Sequence, residues 1–137
     1  MLLDSKVDND LTSTFYNKCS KKSPTIVFVK SNDGYPFGGY TSEFWPESSY
    51  GNDTKSFLFS LDLKKKYNCI KNKWAICHNP NNYFSFGNNI YVYNNCTQNT
   101  SNYLNCPESY EIPKNYELNG GKNYFTVKSY EVYEIEY

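Results

Sequence analysis

Hydrophobic and polar residues alternate in short blocks along most of the chain, which is typical of a protein built mainly from β-strands. Residues 25–30 are branched or aromatic on both faces, so they predict a buried central strand. The segment Asn32-Asp33-Gly34 follows, and an Asp-Gly pair supplies the positive φ angles of a hairpin turn. We therefore expect residues 37–40 to form the partner strand. Its adjacent glycines, Gly38 and Gly39, indicate a bulge or a close approach of another backbone.

One amphipathic helix is predicted near the N-terminus. Asp10 has the side chain of a good N-cap, and Leu11, Phe15 and Cys19 follow at intervals of four residues. These three side chains would form one apolar stripe on the helix. Pro24 prevents the helix from continuing further.

The middle of the chain predicts three further strands, at residues 57–61, 74–77 and 90–93, and Leu2-Leu3 begins another. In the first of them, Phe57, Phe59 and Leu61 lie on one face. Residues 94–123 are rich in Asn, Ser, Pro and Gly, so we expect this segment to be mainly loop.

The last predicted strand is the longest and carries an acidic residue in an unexpected place. From Phe125 onward the odd positions are mostly apolar, and strict alternation places Glu131 on that apolar face. A carboxylate that faces a core needs hydrogen bonds or a proton. Glu131 is then either a structural anchor or a carboxyl group with a tuned pKa, unless a β-bulge turns it outward.

Together these elements predict one domain over residues 1–137, mainly β with a few short helices, folded as a two-sheet antiparallel β-sandwich. The chain contains 15 Tyr and 9 Phe, and buried aromatic side chains supply the apolar area that its many polar residues do not. We find no internal repeat and no linker between domains.

Charge and hydropathy limit the classes of partner. Acidic and basic residues balance at 14 each, and no arginine is present, which disfavours nucleic acid as the main partner. No stretch reaches the roughly 20 apolar residues that span a bilayer, and the N-terminus has no signal-peptide core. We therefore expect a cytoplasmic protein whose five cysteines are thiols.

A catalytic or metal site does not emerge from the sequence. The single histidine, His78, follows Cys77, and adjacent side chains on a strand point to opposite faces. The spacing of Cys69, Cys77, Cys96 and Cys106 contains no C-x-x-C pair, so neither a zinc site nor dithiol exchange is indicated. We predict no catalytic residue, no cofactor and no metal.

A set of motifs runs along nearly the whole chain in a fixed order. They are Phe37-Gly38-Gly39-Tyr40-Thr41 with Trp45, Asp53 followed by Ser56-Phe57-Leu58-Phe59-Ser60-Leu61, Phe86-Gly87, Ser109-Tyr110, Leu118 with Gly120, and Phe125-Thr126-Val127 followed by Glu131-Val132-Tyr133. In these motifs the chain resembles a TLDc domain.

The resemblance implies a two-sheet β-sandwich, a role in oxidative-stress resistance, and a protein partner, which for several family members is the vacuolar-type proton ATPase (V-ATPase). It implies a cytoplasmic location, with attachment to endolysosomal or vacuolar membranes through a partner. It brings no accepted catalytic site. The matching positions are then expected to be structural: Gly38, Gly39, Trp45, Asp53, Phe57, Phe59, Phe86, Gly87, Tyr110, Gly120 and Glu131.

Two other functions stay open at this point. One is an enzyme or a direct peroxide-consuming antioxidant that uses a cysteine or Glu131. The other is a regulatory domain within a larger signalling or trafficking protein. The absence of a convincing catalytic constellation favours the non-catalytic interaction module over the enzyme.

Overall fold

The structure is a computed structural model, which describes residues 1–70, 74–80, 82–105, 110–111 and 116–135. Its strands form two antiparallel sheets of six strands each. In spatial order, the first sheet contains β1 (Leu3–Asp4), β12 (Val127–Glu134), β2 (Thr25–Ser31), β3 (Pro36–Thr41), β5 (Phe57–Ser60) and β6 (Lys65–Asn68). The second sheet contains β11 (Tyr124–Phe125), β10 (Asn102–Leu104), β9 (Ile90–Tyr93), β8 (Tyr83–Phe86), β7 (Ile76–Asn79) and β4 (Tyr50–Gly51).

Short helices complete the fold, namely α1 (Ser5–Asp8), α2 (Thr12–Cys19) and a 3-10 helix at Glu117–Asn119. The inner faces of the two sheets meet across an aromatic core. Phe37 of the first sheet contacts Phe125 of the second edge to face, with ring centroids 5.4 Å apart. The predicted mainly β fold with two antiparallel sheets is therefore confirmed.

The predicted hairpin forms between β2 and β3. Gly34 has φ of +94° in the turn, and the two strands pair from Thr25–Thr41 to Lys30–Pro36. The expectation that β2 is buried on both faces is wrong for one face. Val27 and Val29 are buried, whereas Ile26 and Phe28 on the outer face of the first sheet are only partly covered.

Strand β5 shows the same division between an inner and an outer face. Leu58 points into the core and is fully buried, while Phe57 and Phe59 share the opposite, outer face. Leu61 lies beyond the end of the strand and is 51% exposed, so it does not continue the face of the two phenylalanines as predicted.

Helix α2 is present, but its predicted start is wrong. Leu11 occupies the N-cap position and is 36% exposed, so it lies outside the buried stripe of Phe15 and Cys19. Asp10 instead accepts hydrogen bonds from the backbone N–H and the hydroxyl of Thr97. The first helical N–H, that of Thr12, donates to the side chain of Asn94 at 2.9 Å, so a distant loop caps the helix.

A bulge in β12 corrects the predicted side of Glu131. The pairing with β2 shifts register between Val127 and Ser129, so the strict alternation that starts at Phe125 is broken there. Beyond the shift, Tyr130 and Val132 face the core, and Glu131 faces outward. The Glu131 carboxylate is therefore not buried inside the sandwich.

Strands β4, β6, β8 and β10 were not predicted, and the last predicted strand is divided into β11 and β12. Strand β10 and the 3-10 helix lie within residues 94–123, which the composition predicted as mainly loop. Strand β6 includes Lys65 and Lys66 of the lysine run at residues 64–66.

None of the helices in the described residues has the length and apolar character needed to cross a membrane.

Candidate protein-interaction surface

The structure divides the signature positions into two groups. The first group lies inside the sandwich or in tight turns: Gly39, Trp45, Asp53, Phe86, Gly87, Tyr110 and Gly120. The second group lies on the outer face of the first sheet: Gly38, Phe57, Phe59 and Glu131. The two groups therefore have different chemical surroundings.

Trp45 and Gly39 show the packing of the first group. The indole Nε1 of Trp45 donates to the Thr25 hydroxyl at 3.2 Å, and its ring meets Phe86 edge to face at 5.3 Å. Gly39 lies against the same phenylalanine, since a β-carbon built at Gly39 would approach the Phe86 ring to 2.6 Å. These contacts join the two sheets.

Asp53 is buried and holds loop backbone in place. Its carboxylate accepts hydrogen bonds from the Thr41 hydroxyl, from the N–H and hydroxyl of Ser42, and from the N–H of Lys55. Its own carbonyl oxygen accepts from the Ser56 hydroxyl at 2.7 Å. All of these partners belong to the chain, so the carboxylate is engaged in structure.

Tyr110 and the two turn glycines are also embedded in the fold. The Tyr110 hydroxyl donates to the Ala75 carbonyl at 2.6 Å, and burial raises the pKa of this tyrosine. Gly87 and Gly120 have positive φ angles, and a β-carbon at Gly120 would lie 2.3 Å from the ring of Tyr35. A larger residue at Gly120 would collide with that ring.

The second group belongs to a partly exposed surface that we call the apolar outer face. It consists of Ile26, Phe28, Tyr40, Phe57, Phe59 and Tyr133, with Gly38 at its centre. Ring contacts connect these side chains: the Phe28 ring lies 5.3 Å from that of Phe59 and 5.7 Å from that of Tyr133. No other element of the described chain covers this face as a second layer.

Two hollows open on the apolar outer face and meet at Phe28. The first, of about 540 Å³, lies between β2 and β12 and is bordered by Pro36, Glu131 and Tyr133. The second, of about 500 Å³, lies toward β6 and is bordered by Phe57 and Phe59. Shallow apolar hollows at the centre of a partly exposed patch are typical of protein docking sites.

Charged groups border this face on opposite sides. Toward β6, the Lys66 ammonium lies 4.5 Å from the centre of the Phe57 ring, and Lys65 forms an ion pair with Glu117. Toward β1, Glu131 accepts a hydrogen bond of 2.5 Å from the Tyr133 hydroxyl. That hydrogen bond raises the pKa of Tyr133, because the hydroxyl can donate to the carboxylate only while it keeps its proton.

The outer face of the second sheet is also aromatic, but its rings cover one another. Tyr91 stacks on Tyr103 with centroids 4.6 Å apart, and Tyr83 meets Tyr91 and Tyr93 edge to face. Tyr91 is consequently only 8% exposed. Phe59 on the apolar outer face is equally buried, at 7% exposure, but that face also has the two apolar hollows at Phe28 and is therefore the candidate docking surface.

Three of the four thiols that the structure describes have little of the character of peroxide-reducing groups. Burial raises the pKa of Cys19 to about 12 and also raises the pKa values of Cys77 and Cys96. The thiolate is the reactive form, so these three groups are poor nucleophiles near neutral pH. Cys69 is partly exposed, and Cys106 lies outside the described residues.

His78 lies on the inner side of β7 and Cys77 on the outer side, as the strand geometry predicts. The His78 ring stacks on Tyr16 of α2 at 4.5 Å, and its Nδ1 lies 2.5 Å from the Glu47 carbonyl oxygen. A carbonyl accepts only, so Nδ1 carries the proton and Nε2 is the bare nitrogen. Among the residues that the structure describes, Nε2 has no hydrogen-bond partner.

The buried imidazole leads to a prediction about pH. Burial lowers the pKa of His78 below its usual 6.5, so the unfolded chain binds a proton at pH values where the folded chain does not. We expect the free energy of unfolding to fall as the pH drops below 6.5. The variant His78→Asn keeps an N–H donor near the Glu47 carbonyl. It should lose the part of the pH dependence of the free energy of unfolding that comes from His78.

Urea unfolding of both proteins between about pH 7.5 and about pH 5.5 measures the effect. The wild-type free energy of unfolding should fall more steeply than that of His78→Asn over this range. Parallel curves for the two proteins would show that His78 takes up its proton equally in both states.

Metal binding gains no support within the described residues, where no three His, Cys, Asp or Glu side chains are placed to share an ion.

Comparison with known sequences decides the family. The sequence model of the TLDc domain matches residues 2–136, which is nearly the whole chain. The chain belongs to the TLDc family. The fold described above is thus the fold of a member of this family.

Curated relatives match a shorter part of the domain. The MTOR-associated protein MEAK7 of Danio rerio is 32% identical over 62 residues, which is 44% of this chain and 14% of that protein. The MEAK7 proteins of Xenopus laevis and Gallus gallus are 29% and 32% identical over the same length. The matched region thus covers about one-seventh of the relatives.

The apolar outer face of this TLDc domain was only partly predictable. The motif that contains Phe57 and Phe59 was found, but the roles of Phe28, Tyr133 and Lys66 were missed. A signal existed in the strand at residues 25–30, whose second apolar face has no covering layer.

Proposed function

We propose that this TLDc domain is a non-catalytic protein-interaction module that binds its partner on the apolar outer face. The observation that supports this proposal is a central row of aromatic side chains with two open hollows, on an outer sandwich face that normally carries polar side chains. Aromatic residues in such central positions contribute most of the free energy of many protein interfaces.

The partner that we propose is the V-ATPase, and the role is support of oxidative-stress resistance. Membership of the TLDc family supports both, because they are what the resemblance to that family implies. We place the domain in the cytoplasm, held by this partner at endolysosomal or vacuolar membranes.

A second candidate function is a regulatory domain within a larger signalling protein. The relatives named for association with MTOR support it, because the matched region is a small part of each of them. In that case the same face would hold the domain on a partner in the larger assembly.

Affinity capture from a lysate of the source cells, with and without peroxide, tests these proposals. The bait is the domain, and mass spectrometry measures enrichment of V-ATPase subunits. We expect enrichment with the wild-type bait and its loss with Phe57→Lys, which places a charge on the apolar outer face.

The matched control is Tyr124→Lys, because Tyr124 is 58% exposed on the outer face of the second sheet. Circular dichroism establishes that both variants are folded. If V-ATPase subunits never enrich, the specific partner is wrong. Equal enrichment with both variants would remove the apolar outer face from the interaction.

A further inference from the structure

We infer that the occupant of the apolar outer face is an amphipathic α-helix of a partner protein, with acidic residues at one end and basic residues at the other. This inference rests on the proposed function and adds the chemistry of the partner. It follows from the hydrogen bonding of the sheet, from its width and from its charges.

The hydrogen bonding of the sheet favours a helix. Strands β12, β2, β3 and β5 exchange their main-chain hydrogen bonds with one another, so the middle of the face offers side chains only. An extended segment placed there would bury its own N–H and C=O groups without partners, which is costly. A helix satisfies those groups internally and presents only side chains to the face.

One register row crosses the whole sheet and has opposite charges at its ends. Neighbouring strands align Asp4 with Glu131 and Phe59 with Lys66. Between them, Glu131 aligns with Phe28, Phe28 with Gly38, and Gly38 with Phe59. The row therefore runs from two carboxylates, through two aromatic rings, to a lysine.

Within the described residues, the carboxylates at their end of the row are not neutralised by an ion pair, although Lys30 borders the same hollow as Glu131. In the parts of the chain that the structure describes, neither Asp4 nor Glu131 forms an ion pair. Two carboxylates opposite each other on adjacent strands repel, so a cationic group on a partner would be favourable there.

The lysine end presents two cations to a partner. Lys65 is bound to Glu117, whereas Lys64 and Lys66 border the second hollow without an ion pair among the described residues. Lys30 also borders the first hollow, but it lies in the next row, opposite Pro36. An acidic group on the partner would therefore be favourable beside Lys64 and Lys66.

The dimensions fit a helix of ordinary length. From β12 to β6 the sheet has four interstrand intervals, which at about 4.8 Å each span ~19 Å. A helix covers that distance in about 13 residues. Apolar side chains on two successive turns would enter the two hollows on either side of Phe28.

The direction of the helix follows from what helices themselves favour. Acidic residues stabilise the first turn of a helix and basic residues the last, because of the helix dipole. Such a helix would lie with its N-terminus over Lys66 and its C-terminus over Glu131, beside Asp4.

Synthetic helical peptides test the inference directly. The probe is a labelled peptide of about 16 residues with a leucine face, glutamates in its first turn and lysines in its last turn. Fluorescence anisotropy measures its binding to the wild type and to a variant with Lys64→Glu and Lys66→Glu. We expect the variant to bind about tenfold more weakly, the factor that corresponds to about 1.4 kcal/mol.

Two controls sharpen the result. The substitutions Lys21→Glu and Lys22→Glu change the net charge equally but lie outside the apolar outer face, and they should leave binding unchanged. A peptide with lysines at both ends should bind the Lys64→Glu and Lys66→Glu variant better than it binds the wild type. A spin label at the N-terminus of the bipolar probe should broaden NMR signals of β6 and not those of β1.

Several outcomes would overturn the inference: equal effects of the two lysine pairs, no saturable binding of the probe, or broadening at a different surface. Self-association of the domain through this face would identify a second copy as the occupant and would also overturn it. Suppose that Phe57→Lys abolishes capture from lysate, while Lys64→Glu and Lys66→Glu do not change the binding of the probe. The proposed function then stands, and only the inference of a helix is wrong. If the probe binds as expected while capture is unaffected, the proposed function fails.

Discussion

Replacement of Gly38 by alanine should destabilise the domain by at least about 3 kcal/mol. A β-carbon at this position would lie 1.8 Å from the carbonyl oxygen of Val27 and 2.8 Å from the Phe59 ring. A phenylalanine ring can rotate away, but the carbonyl belongs to the backbone of β2, which is paired on both sides. The strands would have to separate at the centre of the first sheet.

Urea unfolding followed by tryptophan fluorescence measures this loss, since Trp45 is buried in the core. Gly34→Ala is the matched control, because no atom lies within 4 Å of a β-carbon there. Its cost should be about 1–2 kcal/mol, which is the strain of a positive φ angle. A Gly38→Ala variant as stable as Gly34→Ala would show that β2 can move away from β3 at little cost.

The close approach at Gly38 illustrates which parts of the fold the sequence predicts well. Adjacent glycines in a strand have few physical explanations, so the pair at Gly38 and Gly39 led directly to a close contact. Likewise, the Asp-Gly turn and the branched residues of β2 are local signals. Local signals of this kind need no knowledge of what lies opposite them.

Other features were not predictable because distant partners determine them. Thr12 is capped by Asn94, which is 82 positions away in the chain, and Asp10 consequently bonds elsewhere. The polar strand β10 is held by Asn102, whose buried amide donates to the carbonyl oxygens of Cys96 and Phe125. A buried asparagine does not contribute to a hydrophobic pattern, so composition alone indicated a loop.

Prediction of the candidate site requires two facts that the alternation of polar and apolar residues does not give. The first is the bulge in β12, which reverses the side on which Glu131 lies. The second is which face of an apolar strand receives a covering layer: Phe28 and Val29 are equally apolar, yet only Val29 faces the second sheet. Both facts belong to the assembled sandwich. The sequence therefore supplied the motif at Phe57 and Phe59 but not the partial exposure of Phe57.

The second large effect is expected at Asp53, where Asp53→Asn should cost about 2 kcal/mol. One carboxylate oxygen accepts from the backbone N–H of Ser42 at 2.7 Å, and the other accepts from the backbone N–H of Lys55 at 2.9 Å. An asparagine has a single acceptor oxygen. Whichever way its amide is turned, one of these backbone donors faces an NH₂ group that cannot accept.

The hydroxyl donors do not remove this conflict. Those of Thr41 and Ser42 can rotate and accept from an NH₂ group, but a backbone N–H is fixed by its strand or loop. The variant thus leaves one part-buried backbone donor without its carboxylate partner, near the point where β3 ends and the segment before β5 returns. Urea unfolding measures the loss, and Asp62→Asn at an exposed turn position is the control, expected within about 0.5 kcal/mol of wild type.

Comparison of Asp53→Asn with Asp62→Asn tests whether the Asp53 carboxylate has a structural role or a functional one. If Asp53→Asn is destabilised as expected, the negative charge at this position is needed because two backbone donors require two acceptors. A stable Asp53→Asn variant would mean that these donors find other partners, and the carboxylate would then be free to serve a ligand. The four hydrogen bonds that Asp53 accepts from its own chain favour the first result.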